Sequence, residues 1–117
     1  MTKKIAICAS SPSPSALVDE RFGRCACFVI WDPAIMEYSS LSNMVHDAAH
    51  GAGTGAVQSL AKQEVSLVLS QRVGPKAFIA LEQAGIKIFS GVAGKTVEDA
   101  LKSYESGELS ELLRPNS

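Results

Sequence analysis

The sequence lacks an excess of charge of either sign. Its 117 residues contain 11 Lys and Arg against 12 Asp and Glu, which gives a formal net charge of −1. Proteins that bind nucleic acid or anionic membranes through bulk electrostatics carry a clear basic excess. The composition therefore excludes an electrostatic footprint over the whole chain, and any charged ligand must be met by a local cluster of side chains.

Long hydrophobic runs are also missing. The most apolar stretches, Ala26–Trp31 among them, are far shorter than the roughly 20 residues that cross a bilayer. The run Ile5–Ala9 near the N-terminus is shorter than the ~7–15 residues of a signal-peptide core. We therefore expect a first strand where a leader would lie, no membrane span, and a cytoplasmic location.

Cysteine is scarce, with three residues in the chain. An odd number in a chain long enough to bury a core does not make a disulfide framework, so a reducing compartment and free thiols are expected. Free cysteine is among the most buried residue types. We expect Cys8 in the core and Cys25 at a functional site, while Cys27 fits either role equally well.

Apolar residues make up 46% of the chain and charged residues 20%, which is typical of a domain that folds around a core. The patterns predict a single three-layer α/β/α domain over 1–105, followed by a short C-terminal turn and flexible tail over 106–117. The element order is β-β-β-α-β-α-β-α, with a five-stranded mixed sheet in which strand one is central, flanked by an antiparallel hairpin on one side. The predicted strands are Lys3–Ala9, Ala26–Asp32, Ile35–Ser42, Val65–Leu69 and Ile86–Phe89.

This topology brings several loops to the carboxyl edge of the parallel strands, where open α/β sheets bind ligands. The converging segments are Ser10–Arg24, Cys25–Cys27, Met44–Gly55, Ser70–Lys76 and Ser90–Lys95. Charged groups predicted at this edge are Arg21, Arg24, Arg72, Lys76 and Lys95, opposed by Asp19, Glu20 and Asp47. The sum of 5 − 3 = +2 in a chain of net charge −1 favours a local anion site.

The segment Arg21–Cys27 (RFGRCAC) sets two guanidiniums and two thiols beside a flexible Gly23. In an extended strand Cys25 and Cys27 would point to the same side, roughly 7 Å apart at ~3.3 Å per residue. That separation is wide for one small ion but suits thiolates that touch separate atoms of a cluster. The alternative is that Cys27 is a small core residue.

Weaker signals surround this segment. His46 and His50 stand four residues apart, which without a third ligand is a weak zinc signal in a stretch typical of a loop. Gly51, Gly53 and Gly55 precede a helix and could turn backbone N–H groups toward an anion, although their spacing matches no nucleotide-binding loop. Arg72, Gly74 and Lys76 lie where the second predicted helix begins, and its dipole favours negative charge there.

The motifs Phe22-Gly23-Arg24-Cys25 and Gly74-Pro75-Lys76-Ala77, with the segments Val18–Cys25, Phe28–Asp32 and Ala84–Lys87, resemble the dinitrogenase iron–molybdenum cofactor-binding family. The similarity extends over about Lys3–Leu101. It implies a ribonuclease-H-like fold and a role in holding or carrying metal–sulfur clusters. Several members carry a histidine after the Phe-Gly pair, where this chain has Arg24, a difference that fits electrostatic holding of an anionic cluster.

The resemblance is strongest to the stand-alone branch that includes the orange proteins of sulfate reducers. It implies a molybdenum–copper sulfide cluster, or an iron–molybdenum or iron–sulfur cluster, as cargo. Because family members often occur beside ParA/MinD-like ATPases, such an ATPase or a cluster-recipient protein is the implied partner.

We therefore expect a cluster carrier or scaffold and no catalytic residues. One alternative is a sulfur-transfer or redox enzyme that uses the Cys25 thiol. A nuclease is disfavoured because the acids do not converge as two-metal catalysis needs. The candidate cofactor-binding residues are Arg21, Gly23, Arg24, Cys25, His46, His50, Gly51, Gly53, Arg72, Gly74 and Lys76, and the candidate metal ligands are Cys25, Cys27 and His50.

Overall fold

A computed structural model describes residues 4–43 and 52–116 as a mixed sheet with helices on its faces. The elements are β1 (Lys4–Ala9), β2 (Cys27–Asp32), β3 (Glu37–Ser42), α1 (Ala52–Lys62), β4 (Val65–Leu69), α2 (Pro75–Gln83), β5 (Lys87–Ser90), α3 (Val97–Glu105) and β6 (Ser110–Glu111). The strands lie in the order β3-β2-β1-β4-β5-β6. The predicted order of the first eight elements and the central place of β1 are confirmed.

The strand directions determine which ends meet. β2 runs antiparallel to β1, with Ile5 opposite Trp31, and β3 runs antiparallel to β2. β4 is parallel to β1, and β5 is parallel to β4. The carboxyl ends of β1, β4 and β5 therefore lie at one edge together with the start of β2, as the sequence predicts.

The sheet has six strands, so the prediction of five is wrong. β6 pairs antiparallel with β5, with Ser90 opposite Ser110, and the Leu112 N–H donates to the Ile88 carbonyl over 2.8 Å. β6 thus lies within 106–117, the segment predicted as a short turn and flexible tail. A strand of two exposed residues has no hydrophobic periodicity, which is why its sequence does not reveal it.

The sheet separates two apolar clusters, and this confirms the three-layer arrangement. On one face, Cys8 and Phe28 pack in a cluster with Leu60 of α1 and Leu81 of α2. On the other face, a second cluster includes Leu101 of α3. Alternate residues of β1 and β2 supply the two faces because successive side chains in a strand point to opposite sides. The ribonuclease-H-like assignment stays a prediction.

Local sequence signals place the helix boundaries. Pro75 opens α2 directly after Gly74, and Gly85 follows the helix with a φ of +75° that favours glycine. Thr96 caps α3, because its hydroxyl oxygen accepts a hydrogen bond from the Asp99 N–H over 3.2 Å. Of the helices in residues 4–43 and 52–116, none has the length and apolarity needed to cross a membrane.

Candidate functional site

Two arginines from distant segments meet at the carboxyl edge of the sheet. Arg21 and Arg72 form an isolated parallel β-bridge. In this bridge the Phe22 N–H donates to the Arg72 carbonyl over 2.9 Å, and the Arg72 N–H donates to the Glu20 carbonyl over 2.7 Å. Both arginine side chains are exposed. The loop before β2 and the loop after β4 are thereby joined through their backbones with two cations at the junction.

An open depression of about 600 Å³ lies beside this junction. It is lined by Ser10, Leu17, Val18, Asp19, Glu20, Arg21 and Arg72. The residues that line it include two acidic residues and two arginines, a formal sum of 2 − 2 = 0. Arg24, Lys76 and Lys95 are not among the lining residues, and Asp47 lies outside the described residues.

The Phe-Gly-Arg-Cys turn is stabilised by the buried side-chain amide of Asn43, a residue outside the turn. Gly23 has a φ of +89°, a conformation that L side chains rarely adopt. The Nδ2 group of buried Asn43 donates to the Gly23 carbonyl over 3.0 Å and to the Cys25 carbonyl over 2.9 Å. The Arg24 N–H closes the turn on the Arg21 carbonyl over 3.2 Å, and the Arg24 side chain is exposed. Sequence reasoning missed Asn43, because its partners lie some twenty residues earlier and an Asn at a strand end is an ordinary turn signal.

The expectation that Cys25 and Cys27 point to the same side is wrong. Cys25 precedes β2 and packs with Cys8 on one face of the sheet, whereas Cys27 begins β2 and packs on the other face. The extended geometry assumed from the sequence does not hold at Cys25, since the chain is still in the turn there. The shared orientation on which joint contact with one cluster was predicted is therefore absent. In residues 4–43 and 52–116 there is no group of three or more His, Cys, Asp or Glu side chains suited to a metal ion.

The fold raises the pKa values of two of the buried thiols, Cys8 and Cys27. Burial raises the pKa of Cys8 well above its ordinary value of 9.0, and the neighbouring Cys25 thiol raises it further, while a hydrogen bond with Ser70 acts in the opposite direction. Burial likewise raises the pKa of Cys27, with a smaller contribution from Cys25. Cys25 itself has 0% exposure. A nucleophilic thiol must reach its substrate, so this burial gives the thiol-enzyme alternative no support.

The remaining candidates lie apart from the depression or outside the described residues. Gly74 is the N-cap of α2 and has no side-chain cap, and Lys76 is exposed on the first turn. Gly53 lies in the first turn of α1. The candidates His46, His50 and Gly51 fall outside the described residues.

Comparisons with known proteins identify the family and related folds. The model of the family described as "Dinitrogenase iron-molybdenum cofactor" matches residues 3–107. The apo orange protein from Desulfovibrio gigas has a similar structure, with a TM-score of 0.95 and 40% identity, covering 100% of this chain and 98% of that one. An NMR structure of a NifB-like protein from Thermotoga gives a TM-score of 0.88 and 31% identity, with 98% and 97% covered. An uncharacterized protein of Methanocaldococcus jannaschii is 26% identical over 101 residues, which are 84% of this chain and 85% of that protein.

Proposed function

Since the chain belongs to the dinitrogenase iron-molybdenum cofactor family, we propose that it binds and carries or stores an anionic metal–sulfide cluster at the carboxyl edge of its sheet. The cargo is of the molybdenum–copper sulfide type or of the iron–molybdenum or iron–sulfur type. The single observation that carries this proposal is the meeting of Arg21 and Arg72 beside an open depression of about 600 Å³.

A preformed sulfide cluster needs little from the protein in the way of ligands. Its metals are already coordinated by sulfide, so a binding site has to supply hydrogen-bond donors and positive charge to the outer sulfurs. Guanidinium groups suit this task because each presents five N–H donors in a fixed fork and stays charged. Arg21 and Arg72 are the described side chains that bring this chemistry to the depression.

The cysteines support electrostatic holding over thiolate ligation. Cys25 and Cys27 lie on opposite faces of the sheet, and both are buried. Cys8 and Cys27 have raised pKa values, and a thiolate is the form that binds a metal. We therefore propose that the cluster is held without a covalent bond to these sulfurs. A carrier also requires a recipient, and we propose a cluster-recipient protein or a ParA/MinD-like ATPase as the partner.

The test is anaerobic reconstitution. Purified protein is incubated with tetrathiomolybdate and Cu(I), or with iron and sulfide, then desalted, and the visible absorption and the metal content per chain are measured. We expect about one cluster per chain to be retained at low salt, with retention that falls as salt is added because exposed charges are screened over ~8–10 Å. Colour that always elutes with the small molecules would contradict the proposal.

Three variants locate the bound cluster. Joint replacement of Arg21 and Arg72 by Ala should weaken retention on the order of tenfold, since it removes charge-assisted hydrogen bonds. Lys62→Ala is the matched control, because Lys62 is an exposed cation in the last turn of α1, outside the depression. Glu20→Gln should strengthen retention, since it removes a negative charge from the wall. Weaker binding by Glu20→Gln would show that the depression prefers cations and overturn the assignment of an anionic cargo.

A further inference from the structure

We propose that Asn116 and Gln71 are positioning residues that fix Arg72 at the depression. The two side chains form a connected set of hydrogen bonds, here called the Asn116–Gln71 clamp, between the C-terminal segment, the loop after β4 and the loop after β5. The binding consequence of this inference rests on the proposed function, whereas the structural part stands on the contacts of the protein alone.

Asn116 forms hydrogen bonds with the residues before and after Arg72 in the loop that follows β4. Its Oδ1 accepts from the Val73 N–H over 2.8 Å, and its Nδ2 donates to the Gln71 carbonyl over 2.9 Å. The Asn116 backbone N–H also donates to the Val73 carbonyl over 3.1 Å. One residue thus makes three hydrogen bonds to the two chain neighbours of Arg72.

Gln71 joins the same loop to the loop after β5. Its Oε1 accepts hydrogen bonds from three consecutive backbone N–H groups, those of Gly91, Val92 and Ala93, at 3.2, 3.0 and 3.1 Å. Successive N–H groups converging on one acceptor make a concave site that otherwise binds an anion. In this structure the amide oxygen of Gln71 occupies it, and the loops after β4 and β5 are thereby joined.

Arg72 stands at the centre of these contacts. Its own N–H and carbonyl are engaged by the Glu20 carbonyl and the Phe22 N–H across the bridge to the Arg21 segment. Asn116 bonds the backbones of both neighbours of Arg72, and the Gln71 side chain bonds the loop after β5. These contacts restrict the backbone from which the Arg72 guanidinium extends. Preorganisation of this kind strengthens binding because less conformational freedom is lost when the ligand arrives.

The first test measures amide hydrogen exchange in the protein alone, comparing the parent with Asn116→Ala. We expect exchange at Phe22 and Arg72 to accelerate roughly tenfold, as removal of hydrogen bonds to the loop predicts. Neither amide contacts Asn116, so acceleration there reports coupling through the loop. Val68, in the middle of β4, should be unchanged. Unchanged exchange at Phe22 and Arg72 overturns the inference, whatever happens to cluster binding.

The second test measures retention of the tetrathiomolybdate–copper cluster, with urea unfolding as the readout of stability. We expect Asn116→Ala to retain the cluster several-fold less well while the protein stays folded. Leu113→Ala is the matched control, because Leu113 is exposed in the same segment and its side chain has no polar atom that could take part in the clamp. If the parent binds and Asn116→Ala binds equally well, the positioning role is wrong. If the parent binds no cluster, the proposed function fails and the exchange experiment alone decides the clamp.

Three further variants separate hydrogen bonding from shape. Asn116→Asp keeps the acceptor for Val73 but sets a carboxylate oxygen against the Gln71 carbonyl, so it should not restore the parent's exchange rates. Gln71→Glu keeps an acceptor for the three N–H groups, so exchange at Phe22 and Arg72 should stay slow. Gln71→Met leaves the three N–H groups without that acceptor, so exchange at Phe22 and Arg72 should accelerate. Equal exchange rates in Gln71→Glu and Gln71→Met would contradict the role assigned to the amide oxygen.

Discussion

One buried polar side chain, that of Asn43, stabilises the turn that contains Gly23 and Cys25 in the candidate site. Asn43 has 3% exposure, and its Nδ2 group holds the carbonyls of Gly23 and Cys25. A buried carbonyl that loses its donor still carries the free-energy cost of desolvation, and no hydrogen bond offsets that cost. The local form of the Phe-Gly-Arg-Cys turn therefore depends on one side chain that lies outside it.

Asn43→Ala should destabilise the protein by about 1–3 kcal/mol, because it leaves buried carbonyls without a donor. Urea unfolding measures the change. Asn43→Asp has nearly the same volume but a carboxylate that cannot donate, so it should not restore stability. Ser40→Ala, at an exposed position of β3, is the control for a change in the strand that ends directly before Asn43. A stability of Asn43→Ala equal to that of the Ser40 variant would show that the amide is dispensable.

The raised pKa of the Cys8 thiol predicts that the protein loses stability at alkaline pH. Its pKa is raised in the folded protein above the ordinary 9.0, so above that pH the unfolded chain releases a proton that the folded chain keeps. Deprotonation then favours unfolding, and the contribution present below pH 9 is lost as the pH rises toward the folded value.

Urea unfolding between pH 7.5 and 10.5 should show stability falling more steeply in the parent than in Cys8→Ala, although the variant starts lower because it lacks a core side chain. Cys27→Ala is the companion variant, since the pKa of Cys27 is also raised but by burial on the other face. Parallel pH profiles for the parent and Cys8→Ala would exclude this role of Cys8.

At the scale of elements, the cap of α3 also secures one rim of the depression. Besides capping the helix, Thr96 pairs with Leu17 in an isolated antiparallel bridge, and the Val97 N–H donates to the Ala16 carbonyl over 2.9 Å. The start of the helix and the loop after β1 are therefore one structural unit. The loop owes part of its order to a helix that comes much later in the chain.

Thr96→Ala should cost about 1 kcal/mol of stability, the usual effect of losing a side-chain cap. Thr96→Ser keeps the hydroxyl and should restore most of the loss, which thermal or urea unfolding measures. Proteolytic nicking within 10–18 should become faster in the Ala variant alone. Equal stability of the Ala and Ser variants would show that the cap contributes nothing measurable.

The elements that the sequence predicts well are those with a local physical signal. β2 is an apolar, aromatic and β-branched run that ends near a proline, and α2 is bracketed by Gly74-Pro75 and Gly85. β6 has no such signal, because its pairing with β5 is decided by chain reversal after α3. The prediction of the Cys25 orientation is wrong for a similar reason. The residue at which β2 begins depends on its register with β1 and β3, which no local pattern records.

For the whole molecule, the topology follows from strand types and connection rules, which is why the arrangement around β1 could be predicted. The candidate site could be predicted only as a region. The sequence indicates that Arg21 and Arg72 lie at the same edge, but the bridge between them depends on backbone contacts that no local pattern records. Asn43, Gln71 and Asn116 escape sequence reasoning for the same reason, as each is a polar residue whose partners are distant in the chain.

The bridge between Arg21 and Arg72 also bears on the order of folding events. Contacts between residues far apart in sequence require closure of a long loop before they give any stabilisation, and such contacts slow folding. The rim of the depression includes contacts of this kind, namely the Arg21–Arg72 bridge and the Leu17–Thr96 bridge. A partly folded chain with the β2–β3 hairpin formed would have no depression to offer. Under the proposed function, uptake of a cluster would therefore require the completed fold, and a partly folded copy would not compete with folded copies for the cluster.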